Sequence, residues 1–448
     1  ILSKINDESM DDTGRTVKRF RIKLQYADSA GVLERIGAIG GLEKSTLPDT
    51  RSAQRLVGVY HAIKYFLGQE FKEDPAEVLR FFAYIMLHVK LVRIKTQSVA
   101  HALKVFETVN DRGVGLNPMD LLKNLMFISA SQKDYDRLKD DWKSLVDTLH
   151  KAKEKPLRFL RYYIFAAYGV DRLREEEIYR WFTTNEARVG YGSDPIGFVR
   201  TLRDAALDFA HFSGSKSPDG SQNRYLSNTV ALSYAARQHF ILLLAGMHLP
   251  TAAFLELCRH IENLFFVYVI TREPTKELER NFAAWAPDIA NCRDEADVTT
   301  FVARYFQPAK QRLVERFDLA LQTLKEGSVP RYRLRYILGK LTQFVEEVAY
   351  GKTEHNLNTF LGERDLEHIL PQTPNTDVVF DRPDEYASYV HRLGNLTILE
   401  DGLNRSISNK PFAAKAQVYV KSKFLITRTI AATLNVGHTR LDRAIDGL

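Results

Sequence analysis

The sequence predicts a mainly α, multi-domain protein in which a large helical region is followed by a small ββα unit. Three observations carry that expectation. The chain has 448 residues, more than one ordinary core serves. Apolar residues recur at helical spacing as far as Tyr350. Beyond "GKTEHNLNTFLGERD" (Gly351 to Asp365) the texture changes to short β-branched runs between turn residues.

Taken in order, "SVAHALKVFETV" (Ser98 to Val109) places Val99, Leu103 and Phe106 at helical spacing. In the following "NDRGVGLNPMDLLKNLMF" (Asn110 to Phe127), Asn117 is a good N-cap, Pro118 suits the first helical position and Asp120 the first turn. The expectation is helix, glycine-containing loop, helix. "PLRFLRYYIFAAYG", "EEEIYRWFTT", "IGFVRTLRDAALDFAHF", "TAAFLELCRHIENLFFVYVI" and "RYRLRYILGKLTQFVEEVAYG" continue the helical pattern, and their aromatic residues read as core. "HFILLLAGMHLP" (His239 to Pro250) is a buried helix by its length. "SGSKSPDGSQN" (Ser213 to Asn223) reads as an exposed linker. Near the end, "LEHILP" is a strand closed by Pro371, which pushes Leu370 toward extended conformations. "NLTILE" is a second strand, "EDG" a turn, and a helix begins near Pro411. No fixed-period repeat is present.

Composition narrows the class. Hydrophobic content of 45% with 27% charge is ordinary for a soluble globular protein. No run of apolar residues is long enough to cross a bilayer and no cleavable signal opens the chain, so no membrane partner and a cytoplasmic location are expected. The absence of an initiator Met suggests that further N-terminal residues precede Ile1. Cys258 and Cys292 lie far apart without CxxC spacing, which excludes a Cys-rich zinc site and fits a reducing compartment. The net charge of +7 is modest, but its distribution is not even. Between Asp401 and Asp442 there is no acidic side chain, while Arg405, Lys410, Lys415, Lys421, Lys423, Arg428 and Arg440 fall within it. Such a segment attracts a polyanion, unless it is merely a solvated helix face.

The chemistry-bearing residues cluster in the last hundred positions. Phosphodiester hydrolysis needs a base for water, a divalent cation at the leaving oxygen and a scaffold that holds both. His368 is neutral and basic near pH 7. Glu367 offers an anionic oxygen and Asn404 a neutral one, a combination suited to Mg²⁺. Asn395 can hydrogen-bond backbone across the loop and fix the histidine. Lys410 and Lys415 can meet phosphate. Glu367 and His368 are adjacent, so they share one site only if the strand end twists. The other histidines form no HxxH or HxxxH pair and read as structural. Arg112 with Gly113 and Gly115 is a weak phosphate-loop signal.

"EHILP", "GNL" and an Asn nine residues after the Asn of "GNL" resemble the HNH (ββα-metal) nuclease motif. That resemblance implies that Glu367 is a metal ligand, His368 the general base, Asn395 the central Asn and Asn404 the final catalytic and metal-binding Asn. Asn409 is a rival for the last role, and Asp365 a further candidate metal ligand. The cofactor implied is Mg²⁺ or Mn²⁺. More of the chain is similar to a narrower group. Phe106, Asn110, Arg112, Gly113 and Leu116 match the F-x-x-x-N-x-R-G-x-x-L segment of GmrSD-type modification-dependent (type IV) restriction endonucleases. "ITREPTKELERNFAAWA", "RYRLRYILGKLTQ" and "SNKPFAAKAQVYVKSKF" look like the same family.

The resemblance implies residues 1–130 as the remainder of a ParB-like NTPase-type domain, 131–350 as a helical middle domain and 351–448 as the HNH nuclease domain. It implies an enzyme that cuts foreign, modified double-stranded DNA, regulated by a nucleotide such as GTP, ATP or UTP; a homo-oligomer is a further candidate partner, which the sequence leaves open. Asn110, Arg112 and Gly113 are the candidate nucleotide-binding residues; Asn409, Lys410, Lys415, Lys421 and Lys423 are the candidate DNA-binding ones. Two departures stand out. The family's N-terminal D-G-Q-Q-R motif is absent, so only the second half of the nucleotide site, around Asn110, Arg112 and Gly113, carries over and NTPase activity is left open. The zinc-stapling cysteines of many HNH domains are missing too, so the nuclease unit must be held by packing on the helical region. The alternatives are a non-cleaving modified-DNA sensor and a nucleotide-driven switch.

Overall fold

Pro118 fixes φ at a first helical position, and the chain turns helical there, over Pro118–Ser129, with Asp120 in the first turn as its sequence predicts. The computed structural model describes residues 6–10, 16–20, 31–36, 50–72, 74–90, 118–234, 236–351, 364–373 and 383–433. The helix expected over Ser98 to Val109 and the residues Asn110, Arg112, Gly113 and Arg440 lie outside them.

The chain divides into two units, Ile1–Ala102 and Leu103–Leu448. In the first, β1 (Asn6–Met10) and β2 (Thr16–Phe20) pair antiparallel, Asn6 opposite Phe20. The helices α1 (Val32–Ile36), α2 (Arg51–Phe71) and α3 (Pro75–His88) follow. Thr50 and Asp74 cap α2 and α3 by accepting backbone N–H bonds from Ala53 and Ala76.

The second unit is almost wholly helical up to Tyr350: α4 (Pro118–Ser129), α5 (Tyr135–Lys151), α6 (Pro156–Tyr168), α7 (Ile178–Thr184), α8 (Pro195–Ser213), α9 (Arg224–Leu232), α10 (Phe240–Ala245), α11 (Thr251–Ile270), α12 (Thr275–Ile289), α13 (Glu295–Gln311), α14 (Val314–Gln322) and α15 (Arg331–Tyr350). The expected aromatic core is present: Phe159, Phe209, Phe212, Phe240, Phe254 and Phe265 are fully buried. Every residue of α10 is buried, as its unbroken apolar run requires. His239, just before it, is also buried, and desolvation pushes its imidazole down to about 3, so it stays neutral inside the core. Cys258 and Cys292 are buried free thiols.

The stretch Ser213 to Asn223 differs from its expectation as an exposed linker. Lys216 bridges Gln222, and Ser217 and Asn223 are buried. The Asn223 side chain accepts the N–H groups of Tyr225 and Leu226 and so caps α9, while its amide donates to Ser217. The Ser, Gly and Asn residues that mark a linker serve equally well in a closed turn.

After Tyr350 the texture changes as expected. β3 (Arg364–His368) pairs antiparallel with β4 (Leu396–Glu400), His368 opposite Leu396 and Glu367 opposite Thr397. Between them lies α16 (Tyr386–Val390). "EDG" is not a turn: Glu400 ends β4 and Asp401 opens α17 (Asp401–Ile407), where an acidic first-turn residue favours helix. Then come α18 (Phe412–Tyr419), preceded by Pro411, and α19 (Leu425–Thr433). Leu366, Leu396, Ile398 and Phe424 join the main core of the helical region, while Leu399, Ile407 and Tyr419 form a small cluster of their own. The β-hairpin is therefore held by shared apolar packing, which replaces the absent cysteine staples.

Candidate active site

The site is built where β3 ends. Glu367 is 5% exposed. Such a carboxylate needs a counter-charge or hydrogen bonds, and α18 supplies both. Lys415 Nζ donates to Glu367 Oε1 at 2.7 Å and Tyr419 Oη donates to the same oxygen at 2.8 Å. Lys415 and Tyr419 are four residues apart, so they project from one face of α18. Burial, reinforced by the Glu367 charge, pushes the Tyr419 phenol well above its ordinary value, so it remains a donor. Lys415 also donates to the His368 carbonyl at 2.5 Å. Glu367 Oε2 has no hydrogen-bond partner among the described residues.

Lys415 lines the same cleft, but it departs from its expected role as a DNA-contacting lysine in being buried. Its side chain is 1% exposed, and its ammonium is bonded to Glu367 and to the backbone. Asp365 departs too. Its carboxylate lies 3.4 Å from Arg331 and 3.5 Å from Arg335 of α15. It does not line the cleft that Glu367 and His368 share, because two guanidinium groups on the neighbouring helix hold it elsewhere.

His368 is the last residue of β3, and its imidazole is met from outside the hairpin. Nε2 lies 2.9 Å from Glu326 Oε2, and His391 Nδ1 lies 3.1 Å from that same oxygen. Glu326 sits in the turn between α14 and α15. That turn is zipped to the segment before β4: Glu326 N–H donates to the His391 carbonyl at 2.7 Å, and Leu393 N–H donates to the Leu324 carbonyl at 3.1 Å. Burial lowers the His368 pKa below the ordinary imidazole value, with Glu326 opposing it. Burial alone would raise Glu326, but the hydrogen bonds and charges of His391 and His368 hold it below the usual carboxylate value. The pair thus rests as carboxylate and neutral imidazole near pH 7.

Asn395 is buried at the start of β4 and clamps the loop after His368. Its Oδ1 accepts from Leu370 N–H at 2.7 Å; its Nδ2 donates to the Val390 and Leu370 carbonyls at 2.8 and 3.2 Å. Its own carbonyl accepts from Ile369 N–H at 2.9 Å. Both of its amide N–H groups and one acceptor position of Oδ1 are used within the protein.

Glu326, Glu367, His368, Asn404 and Asn409 line one open cleft of about 500 Å³, with Arg405 and Ser408 at the α17 end. Asn404, on α17, thus faces the same space as Glu367 and His368, and so does Asn409. Lys410 is exposed and donates to the Ser406 carbonyl. Lys421 and Lys423 are exposed and lie outside the cleft lining. Arg428 closes the backbone at Ser422 and Lys423. The sequence reading missed Glu326, His391 and Tyr419. Tyr419 was reachable from its i+4 spacing to Lys415; Glu326 and His391 come from distant segments and carry no spacing signal.

A mainly helical protein with a short antiparallel pair of strands gathers an imidazole, a carboxylate and carboxamides around one cleft, groups that hydrolysis can use, and the sequence comparisons supply the class. Residues 6–127 match the GmrSD restriction endonuclease N-terminal domain, and residues 312–443 match the GmrSD restriction endonucleases C-terminal domain. The two matches together span more than half of the chain, which belongs to the GmrSD restriction endonuclease family. A restriction endonuclease acts on DNA, and among the described residues no helix is long and apolar enough to cross a membrane. A search of curated proteins found no match.

Proposed function

We propose that the chain is a metal-dependent endonuclease of the HNH type that cuts modified foreign DNA. The observation that carries this is the convergence of His368, Glu367 and Asn404 on one cleft. A carboxylate can only accept a hydrogen bond, so Glu326 fixes the proton of His368 on Nε2 and leaves the Nδ1 lone pair free. Nδ1 takes a proton from the attacking water as it meets phosphorus. Asn395 holds the Ile369–Leu370 backbone and so keeps the imidazole in place. Lys415 and Tyr419 aim the Glu367 carboxylate by saturating Oε1.

The donor set suits a hard divalent cation: Glu367 Oε2 is unpartnered among the described residues and the Asn404 amide faces the same space. Mg²⁺ or Mn²⁺ held there would stabilise the departing oxygen. Asn409, Lys410, Lys421 and Lys423 lie on exposed surface near or beyond the cleft and are proposed to contact the DNA backbone. A regulating nucleotide (GTP, ATP or UTP) at Asn110, Arg112 and Gly113 rests on sequence resemblance alone. Restriction of modified phage DNA follows the same resemblance.

The test is nicking of modified and unmodified plasmid with and without Mg²⁺. His368→Ala is expected to lose about 10²–10⁴-fold in rate while binding DNA nearly as well. Unchanged cleavage refutes the assignment of the base. Binding without cleavage in the wild-type protein with every metal and nucleotide supplied favours a sensor instead.

A further inference from the structure

Three side chains from three separate segments meet at one point: Glu326 from the turn before α15, His368 from the end of β3 and His391 from the segment before β4. Their ligand atoms, Glu326 Oε2, His368 Nε2 and His391 Nδ1, lie within 4.8 Å of one another. The carboxylate oxygen sits between the two imidazoles, at 2.9 and 3.1 Å. A tetrahedral zinc ion with bonds of about 2.0–2.1 Å holds its ligands roughly 3.3–3.4 Å apart. Both carboxylate–imidazole distances are already within about half an ångström of that value, and the imidazole nitrogens need only close toward each other. The scaffold is rigid, because the Glu326–His391 and Leu324–Leu393 backbone bonds fix two of the three segments against each other.

We infer that Glu326, His368 and His391 form a binding site for a borderline-soft divalent cation of the Zn²⁺ class, separate from the oxygen-lined position at Glu367 and Asn404. Ligand chemistry sorts the two positions. Imidazole nitrogens favour Zn²⁺, Cu²⁺ or Co²⁺, whereas Mg²⁺ takes oxygen ligands and retains water. Two imidazoles and one carboxylate, with the fourth position open to water, make a familiar set for zinc. His391 is about half exposed and provides the entrance; His368 and Glu326 lie deeper.

Occupancy would have a consequence for cleavage, and this part rests on His368 being the base. A cation on Nε2 needs the lone pair of that nitrogen, so the ring proton that Glu326 holds there would shift to Nδ1, the atom proposed as the base, which then has no lone pair left for water. It also detaches His368 from its orienting carboxylate. The site therefore acts as an off-switch for the nuclease, set by the availability of zinc.

The binding claim is tested apart from catalysis. Metal-free, full-length protein is titrated with Co²⁺, whose visible absorption is intense in tetrahedral coordination and weak in octahedral. One equivalent giving a tetrahedral spectrum, displaced by Zn²⁺, is expected; His391→Ala and Glu326→Gln should each weaken binding by about 10–100-fold. No tetrahedral band, or equal Zn²⁺ affinity in His391→Ala, overturns the site. In plasmid nicking with Mg²⁺, one equivalent of Zn²⁺ should stop the wild-type protein, whereas His391→Ala, compared with its own rate without Zn²⁺, should keep whatever cutting it has when that Zn²⁺ is added. Persistent wild-type cleavage with Zn²⁺ demonstrably bound overturns the switch. If the wild-type protein never cuts, the switch falls with the nuclease reading, and the spectroscopic result alone decides the site.

Discussion

Replacing Lys415 by Met separates a buried counter-ion from a DNA contact. Met preserves most of the aliphatic stem and removes only the charge. In the native protein the Lys415 side chain is 1% exposed and the Glu367 side chain 6%, with Nζ and Oε1 2.7 Å apart. The variant leaves Glu367 with Tyr419 as its one remaining partner among the described residues and strips the His368 carbonyl of a donor. Breaking a buried pair from one side costs about 3–5 kcal/mol, since an uncompensated charge stays behind. Urea unfolding of the full chain should show a loss of that size. The double variant Glu367→Gln with Lys415→Met removes both charges and should recover at least about 2 kcal/mol of it, the coupling expected of contacting residues. Meanwhile the salt dependence of DNA binding should be unchanged in Lys415→Met, because this ammonium meets no phosphate. A stability within about 0.5 kcal/mol of wild type, together with a shallower salt slope, would refute the reasoning: it would mean that Lys415 faces the nucleic acid.

Other outcomes follow from the same geometry. Lys421→Ala and Lys423→Ala, both on exposed surface, should leave stability nearly unchanged and each reduce the salt slope of DNA binding by about one, as read by binding titrations at several salt concentrations. The cleavage rate should rise with pH as His368 loses its proton, and because burial lowers the His368 pKa, the plateau should begin below the ordinary imidazole value of 6.5. Glu326→Gln removes the charge that opposes this lowering, so the acidic limb should move to still lower pH while the plateau rate falls; a limb moving upward contradicts the assignment. Asn395→Ala breaks the hydrogen bonds to Leu370 and Val390; it should cost about 1–3 kcal/mol and reduce the turnover rate more than DNA affinity, measured by unfolding and single-turnover nicking.

Much of the architecture was legible because it is local. Pro118 as a helix start, the apolar run that becomes α10 and the β-branched residues of β4 each act within a few positions. The Ser213–Asn223 turn differs from its expectation because residues that favour a linker also favour a buried cap, and the bond that closes the turn on Ser217 and the tertiary contact to Cys258 tell them apart. Within the site, the residues of the "EHILP" and "GNL" stretches could be picked out from their order. What could not be read was which charges neutralise which. Lys415 looked like one more member of a basic run until α18 turned it inward, and Asp365 looked like a ligand until Arg331 and Arg335 claimed it. Glu326 and His391 were silent because their partnership is created by a backbone zipper between segments far apart in sequence.

That zipper has a practical bearing on where the protein can be divided. A fragment starting at Gly351 contains every residue of the "EHILP" stretch, yet it leaves behind the turn that supplies Glu326 and the helix whose arginines hold Asp365. The family match for the C-terminal part begins at residue 312 and so retains both. Excision at the texture change would part His368 from Glu326, whereas a cut upstream of α14 keeps the two together.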